Sequence, residues 1–151
     1  MLKKPTDELN KLLEDVAPEE LDAYLEKNRK YMADAERAFY YYMKDVIDEK
    51  RLKMNFVYST AGLSQSYGEQ IVHMTKHTKD RDVILRLCIA GRFSVEETNR
   101  ALKLYKMSEL YAKDPRDACL IVAINRRIYD LFKIDDILTE HGFDVLSAQE
   151  K

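Results

Sequence analysis

Four Gly and three Pro are all that this 151-residue chain contains, where average usage of about 7% and 5% would supply ~18. A β-sandwich or barrel needs such residues at its hairpin turns, so a chain this poor in them points to helices. Hydrophobic residues make up 46% of the chain and charged residues 34%, the balance of a globular protein rather than a disordered one. One domain of this length buries roughly two thirds of its unfolded surface, with no metal or disulfide staple required. Cys88 and Cys119 sit in the apolar runs LRLCIAG and DACLIVAI. They read as small buried hydrophobes in a reducing compartment. The opening MLKKPTDELNK has no apolar stretch of signal-peptide length, and no apolar run reaches 18 residues. A cytoplasmic protein with no membrane partner is therefore expected.

Helix signals arrive in series. Thr6 can cap a short helix with Asp7 and Glu8 in its first turn and Leu9, Leu12, Leu13 and Val16 on one face. Pro18 opens a second, in which Leu21, Tyr24, Leu25, Asn28 and Met32 fall at helical spacing. After Asp34, an apolar stripe runs through Ala35, Ala38, Phe39, Tyr42, Met43, Val46 and Ile47, with Tyr40, Tyr41 and Lys44 outside it. A short helix from Lys53 to Thr60 is closed by Ala61-Gly62-Leu63, and Ser64 caps the next, through about Met74. Val83 to Ala90 reads as a buried helix that Gly91 is placed to end. SVEE, from Ser94 to Glu97, is a capping box; Val95, Thr98, Ala101, Leu102 and Tyr105 follow on its helix. Asp114-Pro115 opens an apolar helix, Ala118 to Ile124, and a last one, Phe132 to His141, ends at Gly142 as its left-handed C′ residue. The prediction is an all-α bundle of seven or more helices. No repeat, low-complexity tract or long linker divides it.

Charge is unevenly spread. Residues 1–50 carry a net −4, residues 51–107 a net +5 and residues 108–151 a net −3. A basic core between acidic flanks suits a protein that meets nucleic acid through its middle. An ordinary solvated face is the alternative reading.

The informative stretch is Met54 to Ile71, a short helix, the tetrapeptide AGLS, then SQSYGEQI. Gly62 stands where two helices must turn sharply and a positive φ is often needed. The helix after it presents Ser64, Gln65, Ser66 and Gln70 to one side, while Leu63 and Ile71 face the other. That is the layout of a helix-turn-helix whose second helix enters the DNA major groove. A Gln amide bonds adenine N6 and N7 together, and a Ser hydroxyl at a helix start reaches phosphate or a base edge.

On these residues the chain resembles the phage-repressor and Cro-type helix-turn-helix proteins, the XRE-like family. The best matches are Gly62, Leu63, Ser64, Gln65, Ser66, Tyr67, Gln70 and Ile71, and the resemblance extends over about Ala35 to Tyr105. RDVILRLCIAGRFSVEETNRALKLY looks like the fourth and fifth helices of that domain in a Firmicutes-type branch. There Leu110, Tyr111, Lys113, Arg116, Asp117 and Ala118 match a pattern that opens an appended helical pair. The resemblance implies a five-helix core at residues 34–107, accessory helices at 1–33 and a C-terminal pair at 108–151 packed on the core. It also implies a double-stranded DNA partner, met by Ser64, Gln65, Ser66, Tyr67, Gln70, His73, Lys76, Lys79 and Arg81. Tyr58 departs from the small residue usual at its position, and Gly68 from the usual aliphatic, so the Tyr58 ring is expected to fill the space at Gly68. Met74 stands where the turn after the recognition helix usually has Gly, and Met54 where many relatives have a DNA-contacting Gln.

Other residues carry weaker signals. His73 and His77 are four apart, but no further Cys, His, Asp or Glu nearby completes four metal ligands, so phosphate support or solvation is expected of them. Arg116 and Asp117 read as a structural pair at a helix start. No GxSxG, Walker loop, nucleotide-binding Gly motif or carboxylate pair of catalytic character occurs, so neither an enzyme nor a cofactor is expected. The leading expectation is a sequence-specific DNA-binding transcriptional regulator. A protein–protein adaptor on a degenerate helix-turn-helix is the alternative, and an RNA-binding regulator a third reading without the aromatic platform that would favour it. A homodimer is expected, since one such domain reads few base pairs. Leu120, Ile121, Ile124, Ile134, Ile137 and Leu138 are expected to pack within the chain, leaving a patch near one terminus for the partner copy; a monomer is the competing outcome.

Overall fold

The computed structural model describes residues 6–28 and 37–147. Among these residues every regular element is helical. The α-helices are α1 (Thr6–Glu14), α2 (Leu21–Lys27), α3 (Ala38–Glu49), α4 (Met54–Thr60), α5 (Gln65–Val72), α6 (Arg81–Ala90), α7 (Val95–Leu104), α8 (Pro115–Asn125) and α9 (Leu131–Glu140). Pro18 opens a 3₁₀ turn, Pro18–Glu20, that leads into α2. The all-α expectation and its minimum of seven helices are met.

The core is built around α6, whose eight residues from Val83 to Ala90 are all buried. A helix apolar nearly all round must be enclosed, and α4, α7 and α9 pack around it. Helix α7 also touches α3 and α8, and α3 touches α5. The stripe Ala38, Phe39, Tyr42, Met43, Val46 and Ile47 is buried as its spacing requires. Leu120, Ile124, Ile134 and Leu138 join the same core, with Ile121 half-buried against it. Cys88 is fully buried, and burial pushes its thiol well above the usual range, which leaves it inert.

Side-chain caps start α5, α6, α8 and α9, at Ser64 and Asp114 as the sequence indicates and also at Asp80 and Asp130. Ser64 Oγ accepts from Tyr67 N, Asp80 from Asp82 N, Asp114 from Asp117 N and Asp130 from Phe132 N. The SVEE box closes in both directions: Glu97 N donates to Ser94 Oγ at 3.1 Å and Ser94 N to Glu97 Oε1 at 2.9 Å. Helix ends share one device, a left-handed C′ residue followed by a residue whose N–H returns to the carbonyl five positions back. Leu52, Leu63, Phe93, Met107, Ile128 and Phe143 donate in this way to Ile47, Tyr58, Cys88, Leu102, Ala123 and Leu138. Only Gly62 and Gly142 among the C′ residues are glycine; Arg51, Arg92, Lys106 and Arg127 hold φ near +60°. The left-handed conformation costs a side chain ~1–2 kcal/mol. A cationic side chain is suited to the negative end of a helix, which offsets part of that. This is how six helix ends are turned with so little glycine.

Several expectations are corrected. Thr6 is itself helical, within α1, rather than a cap ahead of it. Gly91 does end α6, as its C-cap at φ −81°, while Arg92 takes the left-handed position; a Cβ at Gly91 would lie 2.8 Å from the Phe93 ring, so close packing is what its lack of a side chain serves. On α2, Tyr24 and Asn28 are buried, but Leu21 and Leu25 stay 43% and 41% exposed. Leu12 and Leu13 of α1 are equally open. Met32, Asp34 and Ala35 lie outside the described residues. Arg116 and Asp117 do not pair with each other: Arg116 binds Asp82, and Asp117 binds Arg81. Neighbours at a helix start point in different directions, so each finds its partner on α6.

Candidate nucleic-acid interface

Helices α4 and α5 are joined by four residues, with Gly62 at φ +76°. The fit between them rests on Tyr58, which is 2% exposed, and Gly68. A Cβ at Gly68 would stand 2.5 Å from Tyr58 Cδ1, so the ring lies flat against the backbone of α5. Burial pushes the Tyr58 phenol up to about 12. The expected exchange of a large residue for a small one is present.

That packing orients α5. Gly68, Ile71 and Val72 turn inward, Leu63 and Tyr67 are half-buried, and Ser64, Gln65, Ser66, Glu69 and Gln70 are exposed. Four of the nine expected contact residues, Ser64, Gln65, Ser66 and Gln70, thus share the open side of one short helix. Glu69 was missed by the sequence reading. Its Oε1 accepts from Gln65 Nε2 at 3.2 Å, so a carboxylate stands among the amides and holds one of them. Its position between Gly68 and Gln70 is what could have revealed it, since a residue four after Gln65 must lie on the same face.

The remaining five fare differently. Lys76 is exposed, its ammonium 5.3 Å from the centre of the Tyr67 ring, and Lys79 is exposed in the loop before α6. His73 is half-buried. Its ring lies 4.4 Å from that of Tyr40, and its Nδ1 is 3.1 Å from Arg37 Nη2. Facing a guanidinium, Nδ1 can only accept, which places the proton of the neutral ring on Nε2. Arg37 also lies 4.4 Å over the Tyr40 ring, so Tyr40 is occupied by His73 and Arg37 and does not stand free for a base. His77 stacks on Tyr105 at 4.5 Å. The two histidines diverge because α5 ends at Val72 and Met74 adopts φ +65°, a left-handed conformation that turns the chain away from the helix axis. Thr75 N and Lys76 N both return to the Gln70 carbonyl, and Thr78 N donates to the Tyr105 hydroxyl at 3.1 Å. The loop is therefore tied down at both ends.

Arg81 is removed from the set. Its guanidinium makes two bonds to Asp117, at 2.8 and 2.9 Å, and donates to the carbonyls of Ser108 and Glu109. Four of its five N–H donors are so engaged, and the charge is already met by the Asp117 carboxylate, which leaves one Nη1–H and little need of a phosphate. Its place at the first position of α6, two residues after exposed Lys79, gave no sign of a partner 36 residues away. Among the described residues no group of three or more His, Cys, Asp or Glu could hold a metal, and no helix is long and apolar enough to cross a membrane. No family model, curated protein or solved structure matches the chain.

Proposed function

We propose that the chain is a sequence-specific DNA-binding protein of the XRE-like helix-turn-helix class, acting as a transcriptional regulator. The observation that carries this is the α4–turn–α5 unit: Gly62 in the left-handed turn, Ser64 as a bonded N-cap, and Gln65, Ser66 and Gln70 exposed on one side of α5. In this reading α3 to α7 form the five-helix core and α5 lies in the major groove, its Gln amides toward base edges. Lys76 and Lys79 follow the phosphate backbone. A second copy docks through a terminal patch, for which exposed Leu12, Leu13, Leu21 and Leu25 are the apolar material.

Selection of bound duplexes from a random pool, followed by binding at several salt concentrations, tests the proposal. A recovered near-palindrome and an affinity that falls steeply with salt are expected, because bound phosphates release counterions. Absence of any enriched sequence would overturn it. Glu69 favours the second reading, an adaptor that meets protein rather than DNA, since its carboxylate repels phosphate and engages Gln65.

A further inference from the structure

We infer that Arg86 and the Gly62 turn form a notch that binds a phosphate group. Arg86 stands in the middle of α6 and is 5% exposed. Among the described residues it has no hydrogen bond or ion pair, and its buried Nε has no partner. A guanidinium does not lose its proton on burial as an ammonium can. An unpaired charge in this position is strongly unfavourable unless something from outside meets it. The negative end of α4 lies nearby and offsets a part, but no carbonyl of that helix bonds the guanidinium.

The opening is beside Gly62. Arg86 Nη1 ends 3.5 Å from where a Cβ of Gly62 would stand, and apart from the adjoining turn residues nothing else comes within 4 Å of that point. Gly62 itself is exposed. The guanidinium tip therefore reaches solvent past the one residue with no side chain to cover it. Planar donors without partners, presented through a small opening, suit an oxyanion. Two residues further on stands Ser64, the N-cap of α5, and the first N–H groups of a helix also favour an anion. A phosphate, with more oxygens and more charge than a carboxylate and with them spread tetrahedrally, is the better shaped to meet both. The phosphate can come from a DNA backbone or from a free phosphate, and the notch itself does not depend on the DNA reading.

The test is titration of the full chain with inorganic phosphate at constant ionic strength, read at the Gly62 amide by two-dimensional NMR. A saturable shift is expected, with at least tenfold weaker binding in Arg86→Met. That variant exchanges an unpaired buried charge for an apolar chain of similar length, which cores often accept. Gly62→Asn supplies an independent check: Asn tolerates a positive φ but covers the opening, so phosphate should no longer raise the thermal midpoint above that in chloride. A response that does not saturate, or is equal in wild type and both variants, marks an adventitious ion only and overturns the inference. With a selected duplex, competition by phosphate and a salt slope reduced by about one in Arg86→Met support the notch with a backbone phosphodiester as its ligand. Saturation with an unchanged slope supports it with a free phosphate. Saturation by phosphate in a protein that binds no duplex removes the proposed function and leaves the notch standing.

Discussion

Arg81 holds Asp117 with both ends of its guanidinium, Nη1 to Oδ1 at 2.8 Å and Nη2 to Oδ2 at 2.9 Å. The relationship has a counterpart. Arg116, next to Asp117, holds Asp82, next to Arg81, with two bonds of 3.0 Å. Two Arg-Asp dipeptides at the starts of α6 and α8 thus exchange partners. Each Arg also donates to two loop carbonyls, Arg81 to Ser108 and Glu109, Arg116 to Asp144 and Val145. The exchange fixes α8 to α6 and anchors the loops on both sides of it.

Removing one partner leaves the other unpaired. Asp117 has a side chain only 7% exposed and also accepts from Tyr111 N, so Asp117→Ala should cost ~3–5 kcal/mol. Arg81→Met together with Asp117→Ala should cost less than the two single variants added, because the double variant leaves no orphaned charge. Urea unfolding of the four proteins checks this; additive losses would show that the pair is not coupled.

Acid should weaken the same joint. Burial pushes the Asp117 carboxyl upward, but the Arg81 guanidinium, the Tyr111 N–H and the Arg81 and Arg116 charges outweigh it and hold the carboxyl below the usual carboxylate range. A carboxyl lowered by folding stabilises fully above its unfolded value, ~3.9, and less and less as pH falls through the native one. Stability measured from pH 6 to 2 should therefore drop at the acid end. The drop should be shallower in Asp117→Asn, which starts lower. Parallel curves for the two proteins would contradict the assignment.

The Tyr58–Gly68 fit predicts a rescue. Gly68→Ala brings a methyl to 2.5 Å from the Tyr58 ring and should destabilise by ~1–3 kcal/mol through overpacking, despite the better helix propensity of Ala. Tyr58→Ala alone should cost ~3–5 kcal/mol for the cavity it opens. In the double variant the added methyl meets open space, so its effect should change sign. Denaturant midpoints decide the point.

On the proposed DNA face, Gln70→Ala should cost ~1–3 kcal/mol on the selected site and relax preference at one base pair. Lys76→Ala and Lys79→Ala should weaken all sequences alike and each lower the salt slope by ~0.9. Arg81→Met should leave that slope unchanged, since its guanidinium is already engaged. Glu69→Gln should strengthen binding by removing a carboxylate from the face. Binding curves over a range of salt separate these effects, and a slope that falls in Arg81→Met would return Arg81 to the contact set.

Association state is a separate prediction. Sedimentation at micromolar concentration should show a dimer that Leu13→Glu or Leu25→Glu reduces to a monomer, because each places a charge on the open leucines of α1 and α2. A wild-type monomer with and without the selected duplex would defeat the dimer.

What the amino-acid sequence determined by itself was local. Caps such as Ser64, Ser94 and Asp114 act within one turn of a helix, periodicity repeats every three or four residues, and both are readable along the chain. The match of Tyr58 to Gly68 was legible for a similar reason, since one short turn brings those positions together. What only the tertiary structure decided joins residues far apart in sequence or depends on burial. Arg81 and Asp117 are 36 residues apart, and local reasoning assigns Arg81 to DNA and Asp117 to its neighbour Arg116. Arg37 reaches His73 across the same separation, which alters the expected role of His73. Arg86 lies one helical turn from Val83 and Ala90, and its type alone suggests a solvated surface charge; only the packing of α6 under its neighbours encloses it. Left-handed Arg51, Arg92, Lys106 and Arg127 belong here too, because at each the apolar residue that follows packs on the core and holds the turn in that conformation. Partner choice and burial are properties of the assembled helices, and no interval along the chain encodes them.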